Sequence, residues 1–166
     1  MTEAFNRNSG RFFAQLDKLP AGERTALKRA AGSMLSKADG RAIAAFFRCL
    51  PPEVEYEEDR WFAAACFYCM WDAGSQGMPL EQIFHQMKNE SGSMESRLAA
   101  LLDQRWEDDG YLLNKLYRLI KMAGRQGYCV DCAALLYDLL HWNWDAQFVQ
   151  RRWARTMYQN EKGEDT

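Results

Sequence analysis

Apolar residues return every three or four positions over most of this chain, and no stretch of four to eight residues alternates strictly with β-branched enrichment. Valine stands only at Val54, Val130 and Val149. The first spacing is that of an amphipathic helix and the second that of a half-buried strand, so the pattern speaks against a sheet and for an all-α fold. Breakers then divide the chain. Helices are predicted over 8–19, closed by Leu19-Pro20; over 21–31, closed by Gly32; over 41–50, stopped by Pro51-Pro52; and over 58–73, entered through an acidic connector at 53–59. Residues 74–79 separate an N-terminal helical lobe, 1–76, from a C-terminal helical bundle, 77–160, with helices over 79–88, 93–104, 109–125, 129–141 and 144–159. Short links there favour antiparallel neighbours, giving a two-lobed helical bundle. The polar tail, 161–166, is expected to fray.

With 48% apolar residues and only four prolines the chain is expected to build a packed core. No apolar run approaches the roughly 18 residues that span a bilayer, and the first ten residues lack a signal-peptide layout, so a cytoplasmic protein without membrane contact is expected. Five cysteines, an odd number, suit a reducing compartment.

The net charge of −2 conceals a strong segregation. Residues 1–48 come to +5 and 110–160 to +4, while 49–109 come to −9. Because screening limits each charge to roughly 8–10 Å, a local basic surface attracts phosphate whatever the total. The clearest such surface is predicted on helix 109–125. With Lys115 at zero, Arg118, Lys121 and Arg125 fall at about 300°, 240° and 280°, opposite Leu113, Leu116, Leu119, Ile120 and Ala123. The stripe is about 15 Å long, enough for two or three phosphates. A solvated helix face is the plain alternative, but such faces commonly interleave Glu with Lys at i, i+4, and this one carries no acid. The last helix repeats the device with Arg151, Arg152 and Arg155 opposite Val149, Trp153 and Met157. A third cluster, Arg24, Lys28 and Arg29, also suits the C-terminal end of a helix dipole.

Other features invite chemistry and are better read as structure. Cys66-x-x-Cys69 and Cys129-x-x-Cys132 have the donor set of a zinc site, but about sixty residues separate the pairs and Cys66 and Cys69 sit in an apolar helix, so no metal is predicted. His85 and His141 lack convincing partners for nucleophilic catalysis. Carboxylate runs such as Asp108-Asp109 and Glu57-Glu58-Asp59 fall in polar connectors, suited to helix N-termini or to docking a basic partner. No phosphate-cradling glycine loop, nucleophile elbow or HExxH motif occurs, so neither catalysis nor a cofactor is expected. Most of the six tryptophans read as core; Trp106 and Trp144, beside connectors, are the candidates for exposure.

Several runs resemble a known family. Ser96-Arg97-Leu98-Ala99-Ala100-Leu101-Leu102, Asn114-Lys115-Leu116-Tyr117-Arg118-Leu119-Ile120, Leu139-Leu140-His141-Trp142, and Val149-Gln150-Arg151-Arg152-Trp153-Ala154-Arg155-Thr156-Met157-Tyr158 are similar to segments of the CasB family, the small subunit of the type I-E CRISPR complex Cascade. Leu27-Lys28-Arg29-Ala30-Ala31-Gly32 and Ala45-Phe46-Phe47-Arg48 extend the likeness toward the N-terminus. The resemblance implies a two-lobed helical fold, two copies per complex, contacts with the large subunit and the backbone subunits, and a non-catalytic task. That task is to hold the displaced non-target DNA strand while crRNA pairs with the target strand, stabilising the R-loop. Arg48, Arg97 and Arg105 lie in matching segments and join the phosphate-binding candidates. The alternative is a structural adaptor whose basic residues pair with acids on neighbouring subunits.

Overall fold

A computed structural model describes residues 2–90 and 92–159, and within them the fold is all-α, without a strand. Its α-helices are α1 (Glu3–Asp17), α2 (Ala21–Arg29), α3 (Gly40–Cys49), α4 (Glu58–Tyr68), α5 (Leu80–Glu90), α6 (Met94–Leu102), α7 (Tyr111–Arg125), α8 (Cys132–Leu140) and α9 (Phe148–Tyr158). Short 3-10 turns lie at Leu35–Lys37 and Asp145–Gln147. The polar tail, predicted to fray, lies outside the described residues.

Side-chain caps set three of the helix starts: Thr2, Asp39 and Asp131 accept from the backbone N–H of Phe5, Ala42 and Ala134. The Thr2 cap helps α1 begin five residues before the predicted start. A polar run, Asn6 to Gly10, hides that first turn from a periodicity argument; Phe5 anchors it by packing edge-on against Tyr137, ring centroids 5.5 Å apart.

Helix α4 is the strut of the molecule. Residues 61–67 are all buried, so it is apolar all round and needs neighbours on every side. Helix α8 makes the most extensive of these contacts, and α2 packs on α4 as well. Helix α3 closes over α1 and α2, with Phe12 placed edge-on to both Phe46 and Trp61 at 6.0 and 5.2 Å. In the C-terminal part, α5 packs on α9, α6 and α7. Trp153 there meets Trp142 and Phe84 at 5.1 and 6.0 Å. Buried side chains from all nine helices join one continuous core.

Two glycines make close approaches possible. The segment 74–79 is laid against the turn before α8: Met78 N–H donates to Cys129 O and Asp131 N–H to Met78 O, each at 2.9 Å. A Cβ on Gly77 would stand 2.3 Å from the Val130 carbonyl carbon, which no L side chain tolerates. Gly32, at φ +88°, lies under the Tyr117 ring, where a Cβ would meet ring carbon at 2.7 Å. That contact brings the end of α2 alongside α7.

Gly77→Ala is therefore expected to destabilise the protein by about 3 kcal/mol, because backbone on both sides must move. Urea unfolding followed by circular dichroism would show the loss as a lower midpoint with an unchanged slope.

Candidate nucleic-acid interface

Leu112, Leu113, Leu116, Leu119, Ile120 and Ala123 bury one side of α7, so its other side must face water. Arg118, Lys121 and Arg125 are exposed there and Lys115 is half-buried. Among the described residues no carboxylate pairs with any of the four. Their nearest partners are aromatic: Lys115 Nζ lies 4.9 Å from the Tyr111 ring centre and Lys121 Nζ 5.8 Å from that of Tyr117.

The exposed face forms a ridge with a cleft on each flank. One cleft, of about 380 Å³, is lined by Lys115, Arg118, Leu119 and Met122 of α7 and by Arg97 of α6. Arg97 is held by a contact of 3.2 Å from its guanidinium to the Met122 sulfur. The other, of about 420 Å³, is lined by Tyr117, Lys121, Gly124 and Arg125 of α7, with Met70, Trp71 and Lys28 opposite. Trp71 is fixed there by its indole N–H, which donates to Tyr128 O at 3.0 Å. Six cations from α2, α6 and α7 thus share one surface. Arg29 is exposed at the end of α2 beside Lys28, while half-buried Arg24 has a structural role, donating to Leu16 O and Trp71 O, both at 2.8 Å.

Sequence reasoning missed the aromatic members of this surface, Tyr111, Tyr117 and Trp71. A signal was available for two of them, since Tyr111–Lys115 and Tyr117–Lys121 repeat the same i, i+4 spacing, which stacks each lysine over a ring.

The remaining predicted residues are placed differently. Arg151 and Arg155 are exposed on α9, but α9 contributes to neither cleft. Arg152 departs from the stripe it was grouped with. Its guanidinium donates to Asp138 at 2.5 Å and to Glu81 at 3.3 Å, while Trp153 Nε1–H donates to the second Asp138 oxygen at 2.8 Å. Arg152 is therefore neutralised within its own chain and ties α9 to α5 and α8. Burial pushes both carboxyls above their ordinary values, Asp138 despite its hydrogen bonds from Arg152 and Trp153. Arg48 is likewise ion-paired with Glu23, and Arg105 donates to Asn143 O at 3.2 Å.

Trp106 is buried rather than exposed. Its backbone N–H and C=O are both bonded by the Asn143 side chain, at 2.8 and 2.7 Å, and Arg60 covers its ring. Trp144 is exposed, at 55%. The cysteines behave as small apolar groups: Cys49, Cys66, Cys69 and Cys132 are buried, and burial pushes the Cys69 thiol up to about 11. Among the described residues no three of His, Cys, Asp and Glu form a group suited to a metal, and no helix is long and apolar enough to cross a membrane. His85 and His141 each spend Nδ1 on a backbone carbonyl, of Met157 and Tyr137.

Comparison with known proteins adds to this geometry. The family model for CRISPR-associated protein Cse2 matches residues 23–158. A Cse2-family protein from Thermus thermophilus is 26% identical, with a TM-score of 0.75 over 90% of this chain and 97% of its own. CasB from M. ruber shares the fold at 21% identity, with a TM-score of 0.71 over 98% and 95%. So does a chain of a CRISPR RNA-guided surveillance complex, at 20% identity and a TM-score of 0.73 over 97% and 95%. No curated protein sequence matches the chain.

Removing the carboxylate in Asp138→Ala is expected to cost about 3 kcal/mol, since it leaves a buried indole N–H unpaired and a half-buried guanidinium without its closest partner. The pH dependence has a definite sign. A carboxyl raised on folding adds stability that is full below its unfolded value, about 4, and is lost as pH rises through the folded one. Urea midpoints between about pH 4 and pH 7 should fall less steeply in Asp138→Asn than in the parent chain.

Proposed function

Because the chain belongs to the CRISPR-associated protein Cse2 family, we propose that it is the small, non-catalytic subunit of a type I-E surveillance complex, Cascade, and that it stabilises the R-loop by holding the displaced non-target strand. On this reading it works in the cytoplasm, in two copies, against the large subunit and the backbone subunits, and it folds as two lobes divided near residues 74–79. The fold shared with a chain of an RNA-guided surveillance complex supports this placement.

One observation carries the strand-holding role: the α7 ridge, whose cations have no carboxylate partner among the described residues and which gains Lys28 and Arg97 from flanking helices. R-loop formation is nearly balanced, because the heteroduplex formed is about as stable as the duplex it replaces, so backbone contacts to the displaced strand tip it. Such contacts need positive charge at intervals and no base code. Arginine's planar fork binds two phosphate oxygens together, and tyrosines beside the lysines offer faces on which an unstacked base rests. Arg29, exposed beside Lys28 at the end of α2, extends this field, while Arg151 and Arg155 on α9, which lines neither cleft, offer separate phosphate contacts. Arg152, held by Asp138 and Glu81, contributes little to it.

The triple variant Arg118→Ala, Lys121→Ala, Arg125→Ala tests the proposal in the assembled complex. Each lost phosphate contact lowers the dependence of log affinity on log salt by about 0.7 for a single strand, so three reduce the slope by about 2 and shorten R-loop lifetime. Unchanged target binding with the subunit still incorporated would sink the strand-holding role. Loss of incorporation would instead favour the adaptor reading, in which these cations meet acids on neighbouring subunits.

A further inference from the structure

A third cleft, away from α7, has the opposite character. It is an opening of about 500 Å³ between α1, the connector before α4, and the end of α8, walled by Phe5, Tyr56, Tyr137, His141 and Trp144, with Glu57 at its edge. Tyr56 and Trp144 are 62% and 55% exposed, and they are two of only four large apolar side chains so exposed among the described residues. The rings are already ordered against one another. His141 lies 4.2 Å from Tyr137 and 4.3 Å from Trp144 between centroids, and its Nδ1 is engaged by the Tyr137 carbonyl at 2.7 Å.

The backbone beside the cleft is strained. Glu57, Ala146 and Gln147 adopt φ of 54°, 67° and 50°, the non-glycine residues with positive φ among those described. Glu57 lines the opening, and the other two follow Trp144 in the turn that presents it. Strained backbone of this kind persists where the surrounding structure holds it, and it clusters at binding sites.

Charge decides what enters. Glu57 lines the opening and pairs with Arg60 at 3.5 Å; Glu55 precedes it in the connector, Glu58 and Asp59 open α4, and Asp145 follows Trp144, so one cation stands against five carboxylates. A nucleobase would bring its phosphate into that negative field. A guanidinium or ammonium would instead find ring faces that attract cations and, at their edge, a surplus of negative charge that Arg60 offsets only in part. We infer that this aromatic cleft docks an arginine- or lysine-bearing segment of a partner protein. In its biological setting the inference rests on the chain working within a multi-subunit assembly, but the cleft's chemistry can be tested on the chain alone.

The full-length chain, labelled with ¹⁵N, would be titrated with a blocked Gly-Arg-Gly peptide, its Gly-Glu-Gly counterpart and a dT oligonucleotide while the Trp144 indole N–H is followed by NMR. That resonance is assigned by its absence in Trp144→Phe. The arginine peptide should shift it and the glutamate peptide should not, with apparent affinity about threefold weaker in Glu57→Gln, which lines the cleft, and unaltered in Glu53→Gln, which lies outside it. No shift with the arginine peptide, or a response to the oligonucleotide alone, overturns the inference. In the assembled complex Trp144→Ala should reduce incorporation about tenfold or more, as loss of an interface tryptophan does, whereas the α7 triple variant should stay incorporated. Full incorporation of Trp144→Ala overturns the docking role and leaves the strand-holding reading untouched.

Discussion

Burial of α4 on all sides is the constraint on which the rest of this fold depends. A helix with residues 61–67 wholly inside cannot be satisfied by one neighbour, so α2 and α8 gather round it and α1 and α3 close over the result. Each outer helix then needs a single apolar stripe, and its other face is free of any packing duty. Charge collects on those free faces. Helix α7, packed against α5 and α6, buries one apolar stripe in this way and carries its ridge of cations without loss of core.

Not every outward cation remains available. Arg152 shares one helix with Arg151 and Arg155, yet it sits where Asp138 and Glu81 converge from α8 and α5. Two carboxylates this close to the core repel each other and resist desolvation, so a guanidinium between them relieves an unfavourable arrangement. Trp153 completes it by giving the second Asp138 oxygen a donor. The knot joins three helices through their polar atoms, and it balances the charge of one arginine within the chain.

The segregation of charge along the chain becomes a separation in space. The α7 ridge with Lys28 and Arg97 suits a polyanion, and the acidic connector before α4, bordering a cleft of aromatic rings, suits a cation. With a Debye length of roughly 8 Å at physiological salt, such local surfaces hold their sign despite a net charge near zero.

Much of this was settled by the sequence alone. Apolar residues at three- and four-residue spacing, bounded by Pro20, Gly32 and Pro51-Pro52, sufficed to place nine helices, because a helix's buried stripe is a local property. The one-sided charge of α7 was readable for the same reason: residues three and four apart share a face whatever the rest of the chain does. Which faces meet was not readable. Arg151 and Arg152 are neighbours in sequence and both reach the surface, and only the approach of α5 and α8 ties Arg152 to carboxylates of its own chain. Trp106 and Trp144 both stand beside connectors, and only Asn143, reaching back across the fold, draws the first inside. Lys28 joins Lys121 and Arg125 because Gly32 lets α2 pass beneath Tyr117. Each of these outcomes depends on contacts between residues well separated in the chain, which no local spacing specifies.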